Sequence, residues 1–245
     1  MAVSRVTIVV PCFDEEHRLD VAAFQSCREA DFCFVNDGSR DGTLGVLQSL
    51  AATDPSRFRV INLEKNRGKA EAVRAGIPDA LSRNINYVGF WDADLATPLS
   101  ELPRFIELLD TRPEIHLVMG ARVRLLGRSI SRRPGRHYFG RAGATLISSS
   151  LGIAVYDTQC GAKLFRASDM MRDIFSTAFL SRWIFDVEII ARLIQRMGRD
   201  AAAGAIYELP LVVWRDVTGS KVKSRDYFRG LRDLWRIHRA YNSRR

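Results

Sequence analysis

Two aspartates one residue apart, Asp92 and Asp94, follow directly on the apolar run Tyr87-Val-Gly-Phe-Trp91. Carboxylates so spaced at a strand end can reach a common point as hard oxygen ligands, and Mg²⁺ or Mn²⁺ held by so few protein groups keeps coordination sites for diphosphate oxygens. Alone, the triplet reads equally well as a turn that caps the next helix. Two further stretches change the balance. Asn36-Asp37-Gly38-Ser39-Arg40-Asp41-Gly42-Thr43 combines glycines for tight turns with a carboxylate, Asp37, able to accept from a base or ribose. Asn66-Arg67-Gly68-Lys69 sets a cation at the start of a helical pattern, where an anion would also meet backbone amides. Each alone is ordinary turn chemistry. Three at successive strand ends are hard to explain as turns.

The elements that position them follow from hydrophobic patterning. Val6-Thr-Ile-Val-Val10, Phe32-Cys-Phe-Val35, Phe58-Arg-Val-Ile-Asn62, Tyr87 to Trp91 and Leu117-Val-Met119 are near-continuous apolar runs of the kind buried on both faces of a parallel sheet. Helical patterns lie between them near residues 42–52, 68–83 and 98–110, the last opened by Thr97-Pro98. This βαβ series predicts an α/β fold with a mostly parallel sheet covered by helices, whose ligands bind beyond the carboxyl ends of the strands. Residues 142–156 carry no charge and predict a buried helix, being too few to cross a bilayer. A helix near 184–197 and short strands near 205–209 and 211–214 complete the body. Residues 1–215 read as one domain and 216–245 as a basic amphipathic segment.

The net charge of +9 is concentrated. Residues 122–141 hold seven arginines and no acid, and residues 215–245 hold ten lysines and arginines against three aspartates. The remainder is acidic, so a basic patch beside an acidic body suits phosphates or an anionic membrane surface. A nucleic-acid-binding protein would share that charge, but strand-end carboxylates would repel a phosphate backbone and no recognised nucleic-acid motif is present. No nucleic-acid partner is expected. The four cysteines show neither CxxC nor zinc spacing and are expected to be reduced and mostly buried. The stretch Val6 to Val10 breaks at Pro11 and runs into three acids, unlike a secretory signal. A cytoplasmic protein is expected, with peripheral contact to the cytoplasmic membrane face.

Val10-Pro11-Cys-Phe-Asp14-Glu15, Val35-Asn-Asp37-Gly-Ser39, Asn66-Arg-Gly68-Lys69 and Asp92-Ala-Asp94 together resemble the successive motifs of family 2 glycosyltransferases, which have the GT-A fold and invert the anomeric carbon. Asp157-Thr-Gln159-Cys160-Gly161-Ala-Lys163, Arg182-Trp183-Ile-Phe185-Asp186-Val-Glu188 and Gly219-Ser220-Lys221 resemble the dolichyl-phosphate β-glucosyltransferase branch. The resemblance covers about residues 5 to 225. Asn36 stands where aspartate is usual, and Ala162 replaces a common aromatic.

The resemblance implies a nucleotide-sugar donor, best matched by UDP-glucose, and a polyprenyl or dolichyl phosphate acceptor; a soluble sugar or glycan acceptor is the alternative. It implies a divalent metal at Asp94 with Asp92 beside it. Pro11, Asp14, Glu15, Asp37, Lys69 and Asp92 would line the donor site, with Asp37 on the base. Asp157 would act on the acceptor side, as general base toward a hydroxyl or as an orienting group toward a phosphate that is already ionised. Arg122, Arg128, Arg132, Arg133 and Lys163 would meet the acceptor, the guanidiniums through bidentate phosphate contacts. Trp183 would wall that pocket. From Arg225 to Tyr241, Tyr227, Phe228, Leu231, Leu234, Trp235, His238 and Tyr241 recur at helical spacing opposite Arg225, Arg229, Arg232, Arg236 and Arg239. That helix would pack on the domain or lie in an anionic membrane interface.

Overall fold

The computed structural model describes residues 5–131, 134–217 and 224–241, and the side chains of these except 131, 134–142 and 224–228. Five strands alternate with helices first: β1 (Val6–Cys12), α1 (Val21–Ser26), β2 (Asp31–Asp37), α2 (Thr43–Thr53), β3 (Phe58–Leu63), α3 (Lys69–Leu81), β4 (Tyr87–Trp91), α4 (Leu102–Thr111) and β5 (Leu117–Ala121). Then follow β6 (Ser129–Ser131), α5 (Pro134–Leu151), β7 (Ala162–Arg166), α6 (Asp169–Ser176), α7 (Phe185–Met197), α8 (Arg199–Ala205), β8 (Ile206–Pro210), β9 (Val213–Arg215) and α9 (Ser224–Tyr241).

Among the described residues the main sheet has the order β3-β2-β1-β4-β7-β5-β8, and β6 pairs with β9 in a separate ribbon. Strand β7 is antiparallel to both β4 and β5, while the other pairings are parallel. Because successive side chains point to opposite faces, Val9, Cys33, Val35 and Phe90 join one apolar cluster with α3, α6 and α7. Ile8, Val10, Phe32, Phe34 and Trp91 join the other, with α1, α2 and α4. The chain order reverses between β1 and β4, which opens a crevice at their carboxyl ends.

Three expectations need correction. Strand β7 was not foreseen, because Ala162-Lys163-Leu164-Phe165-Arg166 mixes charge into an apolar run. The uncharged stretch 142–156 does not form one buried helix. Its helix stops at Leu151, ahead of Gly152 at φ 69°, and residues 143–150 are half-buried to exposed. The stripe expected on α9 is divided. Ile237 is fully buried, and Leu234 and Tyr241 pack on the same cluster as α3 and α7, whereas Leu231 and Trp235 face outward at 53% and 59% exposure. Tyr227, Phe228 and Arg225 lie outside the described side chains.

Polar contacts fix α9 in place. Tyr241 Oη donates to Glu188 Oε1 at 2.8 Å and accepts from Arg192 Nε at 3.1 Å, while Ser181 Oγ donates to Asp233 at 2.9 Å. Arg192 Nη2 meets Glu188 at 2.7 Å, so a buried ion pair on α7 receives the end of α9. If this docking is part of the fold, Ile237→Ala should lower unfolding free energy by about 2–5 kcal/mol in urea titration. An unchanged midpoint would show that the helix is not packed there.

Candidate active site

The loops after β1, β2, β3 and β4 meet at the carboxyl edge of the sheet, and β7 enters from that edge because Ala162 pairs with Trp91. The β1 and β2 loops are laced together: the Asp14 amide donates to Ser39 Oγ at 3.0 Å, the Arg40 amide to Asp14 Oδ1 at 2.8 Å, and the Glu15 amide to Thr43 Oγ1 at 2.8 Å. Gly38 turns the chain at φ 64°, where a Cβ would come within 2.5 Å of the Asn66 amide nitrogen. Pro11, near the end of β1, is half-buried beside this turn.

Asp37 is buried, and its oxygens accept from the Arg67 and Gly68 amides at 2.7 and 2.8 Å, so it shapes the β3–α3 loop. Burial raises its pKa, and the two amides temper the rise. Arg182, from the motif ahead of α7, clamps the same loop through Arg67 O at 2.7 Å and Asn66 Oδ1 at 2.7 Å. Lys69 therefore starts α3 from a fixed point and reaches Asp92 Oδ1 at 2.5 Å.

Both carboxylates of the triplet are engaged by cations. Arg18 Nη2 lies 3.1 Å from Asp94 Oδ2, and its Nη1 lies 3.3 Å from Glu15 Oε2. Burial, then the neighbouring Asp92, raises the pKa of Asp94. For Lys69, burial works against the charge, but Asp92 and Asp186 outweigh it and its pKa rises. No three His, Cys, Asp or Glu side chains converge as a metal site among the described residues. The two carboxylates nevertheless fit Mg²⁺ or Mn²⁺ of the kind whose remaining ligands come from substrate phosphates. Arg18, four residues past Asp14, was not foreseen as part of the site.

The acceptor-side loop is built on Lys163, which is fully buried under it rather than in the cleft as expected. Its Nζ donates to Thr158 O at 2.9 Å and Cys160 O at 2.7 Å, pairs with Asp186 at 2.5 Å, and stands over the Phe90 ring at 5.2 Å. Gly161 then abuts Asp92: its carbonyl accepts the Asp92 amide at 3.0 Å, and a Cβ there would overlap the Asp92 carboxylate. Asp157 is held from three sides by Arg122, whose amide, Nε and Nη2 donate to it at 3.0, 2.6 and 2.7 Å. Burial would lower the Arg122 pKa, but Asp157 overrides it and the net shift is upward. The Asp157 and Tyr156 amides donate to Glu208, whose own pKa burial raises.

Arg122 is thus bound to Asp157 and stacked over Trp214 at 5.4 Å. Trp183 is half-buried and packs against the apolar cluster near Gly230 of α9. Arg128 lies half-buried in the β5–β6 loop. Arg132, Arg133 and Gly219-Ser220-Lys221 lie outside the described residues.

The profile of glycosyl transferase family 2 matches residues 7–172. The chain belongs to glycosyl transferase family 2. A dolichyl-phosphate beta-glucosyltransferase of Trichomonas vaginalis is 32% identical over 89% of this chain and 66% of its own length, and the Homo sapiens dolichyl-phosphate beta-glucosyltransferase is 30% identical over 89% and 69%. The chain thus spans about two thirds of the length of these relatives. Among solved structures, the glucosyl-3-phosphoglycerate synthase of Mycobacterium tuberculosis, in complex with Mn²⁺ and uridine-diphosphate-glucose, superposes with a TM-score of 0.60 at 20% identity, covering 96% of this chain and 76% of that one. The likeness establishes the fold as GT-A. A family 2 transferase whose Asp92 is seated against Gly161 should not tolerate a side chain there. Gly161→Ala should keep its thermal midpoint within a few degrees yet lose about 100-fold in sugar transfer, the scale of a 1 Å misplacement. Unaltered transfer would mean that this contact does not set the geometry of Asp92.

Proposed function

We propose that the chain moves glucose from UDP-glucose to a polyprenyl phosphate, inverting the anomeric carbon. The observation that carries the acceptor class is the engagement of Asp157. Taking a proton would cancel the charge that pairs its carboxylate with Arg122, a costly change for a paired group with 6% exposure. A hydroxyl acceptor needs a base, but a phosphate monoester, with a second pKa of about 6, is largely dianionic at neutral pH. Asp157 therefore orients the acceptor loop rather than deprotonating.

On this reading the acceptor phosphate oxygen attacks C1 of the sugar as the bond from C1 to the diphosphate breaks and its electron pair leaves on UDP. A divalent ion bound at Asp92 and Asp94 would neutralise the leaving diphosphate. Lys69 adds a fixed cation at the same place, Asp14 and Glu15 border the nucleotide, and Arg128 is a cation available to the acceptor phosphate. A cavity of about 350 Å³ lined by Ala144, Ser148, Val155, Tyr156 and Glu208 adjoins Asp157 in the chain and would receive the first apolar carbons of the lipid. The relatives named for dolichyl phosphate support the same acceptor. The test is transfer from labelled UDP-glucose to a short polyprenyl phosphate, with and without EDTA, beside a soluble glucoside. Asp157→Asn should keep UDP affinity and lose most transfer. Preference for the glucoside, or collapse of UDP binding in that variant, would refute the assignment.

No helix among the described residues is long and apolar enough to cross a membrane. We assign membrane contact to the outward stripe of α9, where Leu231 and Trp235 stand beside exposed Arg229, Arg232 and Arg239. Cations near an anionic surface contribute about 1 kcal/mol each. The protein should sediment with anionic but not neutral liposomes, less so in high salt. Leu231→Glu combined with Trp235→Glu should abolish sedimentation without altering the thermal midpoint. Sedimentation that survives the double variant would place the membrane contact elsewhere.

A further inference from the structure

The cleft is electrically closed on itself. Two carboxylates, Asp92 and Asp94, meet two cations, Lys69 and Arg18, so an approaching metal ion finds its ligands already neutralised. Of the two cations, Arg18 is the one with spare capacity: Nη1 pairs with Glu15 at 3.3 Å and Nη2 with Asp94 at 3.1 Å. Its buried Nε has no hydrogen-bond partner, so only one prong of the fork formed by Nε and Nη2 is in use, at Asp94 Oδ2. A phosphate would fill both prongs, because guanidinium and phosphate match in bidentate geometry.

The backbone on either side of this contact is under strain. Asp14 at φ 49° and Leu95 at φ 48° are the non-glycine residues with positive φ among the described residues, and they sit in the two loops that Arg18 joins. Such strain persists where surroundings over-determine the backbone, and it clusters at ligand sites. The hydrogen bonds that lace the β1 loop to the β2 loop hold that backbone still, so a change of position falls to the long side chain, pivoting on its Nη1 contact with Glu15.

We propose that Arg18 has two positions: on Asp94 in the donor-free protein, and on the diphosphate when metal and nucleotide are bound. The inference rests on the donor reading above and adds to it a residue and a coupling. Metal alone must displace Arg18 and leave its charge next to the incoming cation. Metal arriving with a diphosphate gives Arg18 an anion to move to. Metal and nucleotide affinities are then coupled, each raising the other by the same factor.

Calorimetric titration of MnCl₂ into the full chain, with and without saturating UDP, measures that coupling without any turnover. In the unsubstituted protein UDP should tighten Mn²⁺ binding on the order of tenfold or more, within the usual range for coupled sites. Arg18→Gln should bind Mn²⁺ alone roughly tenfold more tightly and show a correspondingly smaller effect of UDP. Arg18→Lys, which restores the charge, should return Mn²⁺ alone to weak binding, and circular dichroism melts would show that each variant is folded. Equal Mn²⁺ affinity in the absence of UDP for the unsubstituted and Gln proteins overturns the proposal while leaving the donor reading in place. Absence of UDP binding under every condition overturns the donor reading and the proposal with it.

Discussion

A lysine with no exposure to solvent needs partners for its charge, and the way Lys163 obtains them organises the molecule around the cleft. The desolvation of a buried ammonium is a cost of several kcal/mol, offset only by good geometry and additional hydrogen bonds. Asp186 supplies the counter-charge from the start of α7, two carbonyls of the loop before β7 supply the hydrogen bonds, and the Phe90 face covers the remaining side. Each partner comes from a different part of the chain. Satisfying one cation therefore fixes the loop that carries Asp157, the entry of α7 and the middle of β4 relative to one another.

The two sides of the cleft are stiffened differently. On the donor side, carboxylates accept from backbone amides: Asp37 from the loop before α3, Asp14 and Glu16 from the loop before α2. Around Asp157 a guanidinium is added, with Arg122 Nε and Nη2 on its carboxylate, while backbone amides again meet a carboxylate at Glu208. Charge-assisted, bidentate bonds of that kind confer geometric specificity as well as energy. The cleft thus keeps its own acids paired, so that a ligand entering it does not meet a field of bare carboxylates.

Much of this was legible in the sequence, and what was not had physical causes. The parallel strands showed because apolar runs buried on two faces need no partner to be recognised, and β1 to β5 fall within a residue or two of where those runs lie. Asp92 and Asp94 were legible because adjacency in sequence is adjacency in space at a strand end. Strand β7 was hidden, since the charge at Lys163 is explained only by Asp186 on a helix that follows 19 residues after the strand ends. Arg122 looked like every other arginine of its run, and a separation of 35 residues from Asp157 concealed the pairing that sets it apart. Arg18 stands in a loop crowded with acids, and nothing near it in sequence marks it as part of the site. Its link to Asp94 spans 76 residues. Absence of charge in 142–156 was a false guide, because an uncharged helix can lie at the surface when its polarity comes from serine and threonine.

The place of β7 in the sheet has a consequence for how the chain reaches its native state. It fills the gap between β4 and β5, although it follows β4 by 70 residues and β5 by 40. During synthesis both neighbours emerge first, β4 with one row of amides and carbonyls unmatched and β5 with both, because β8 comes later still. Loop-closure entropy must be met before such distant pairing is rewarded, which makes this step slow compared with assembly of the β1 to β4 half. An N-terminal unit with an unmatched β4 edge is thus the species most exposed to joining another chain as it leaves the ribosome. Arrival of residues 162–166 closes that edge in the same event that buries the lysine.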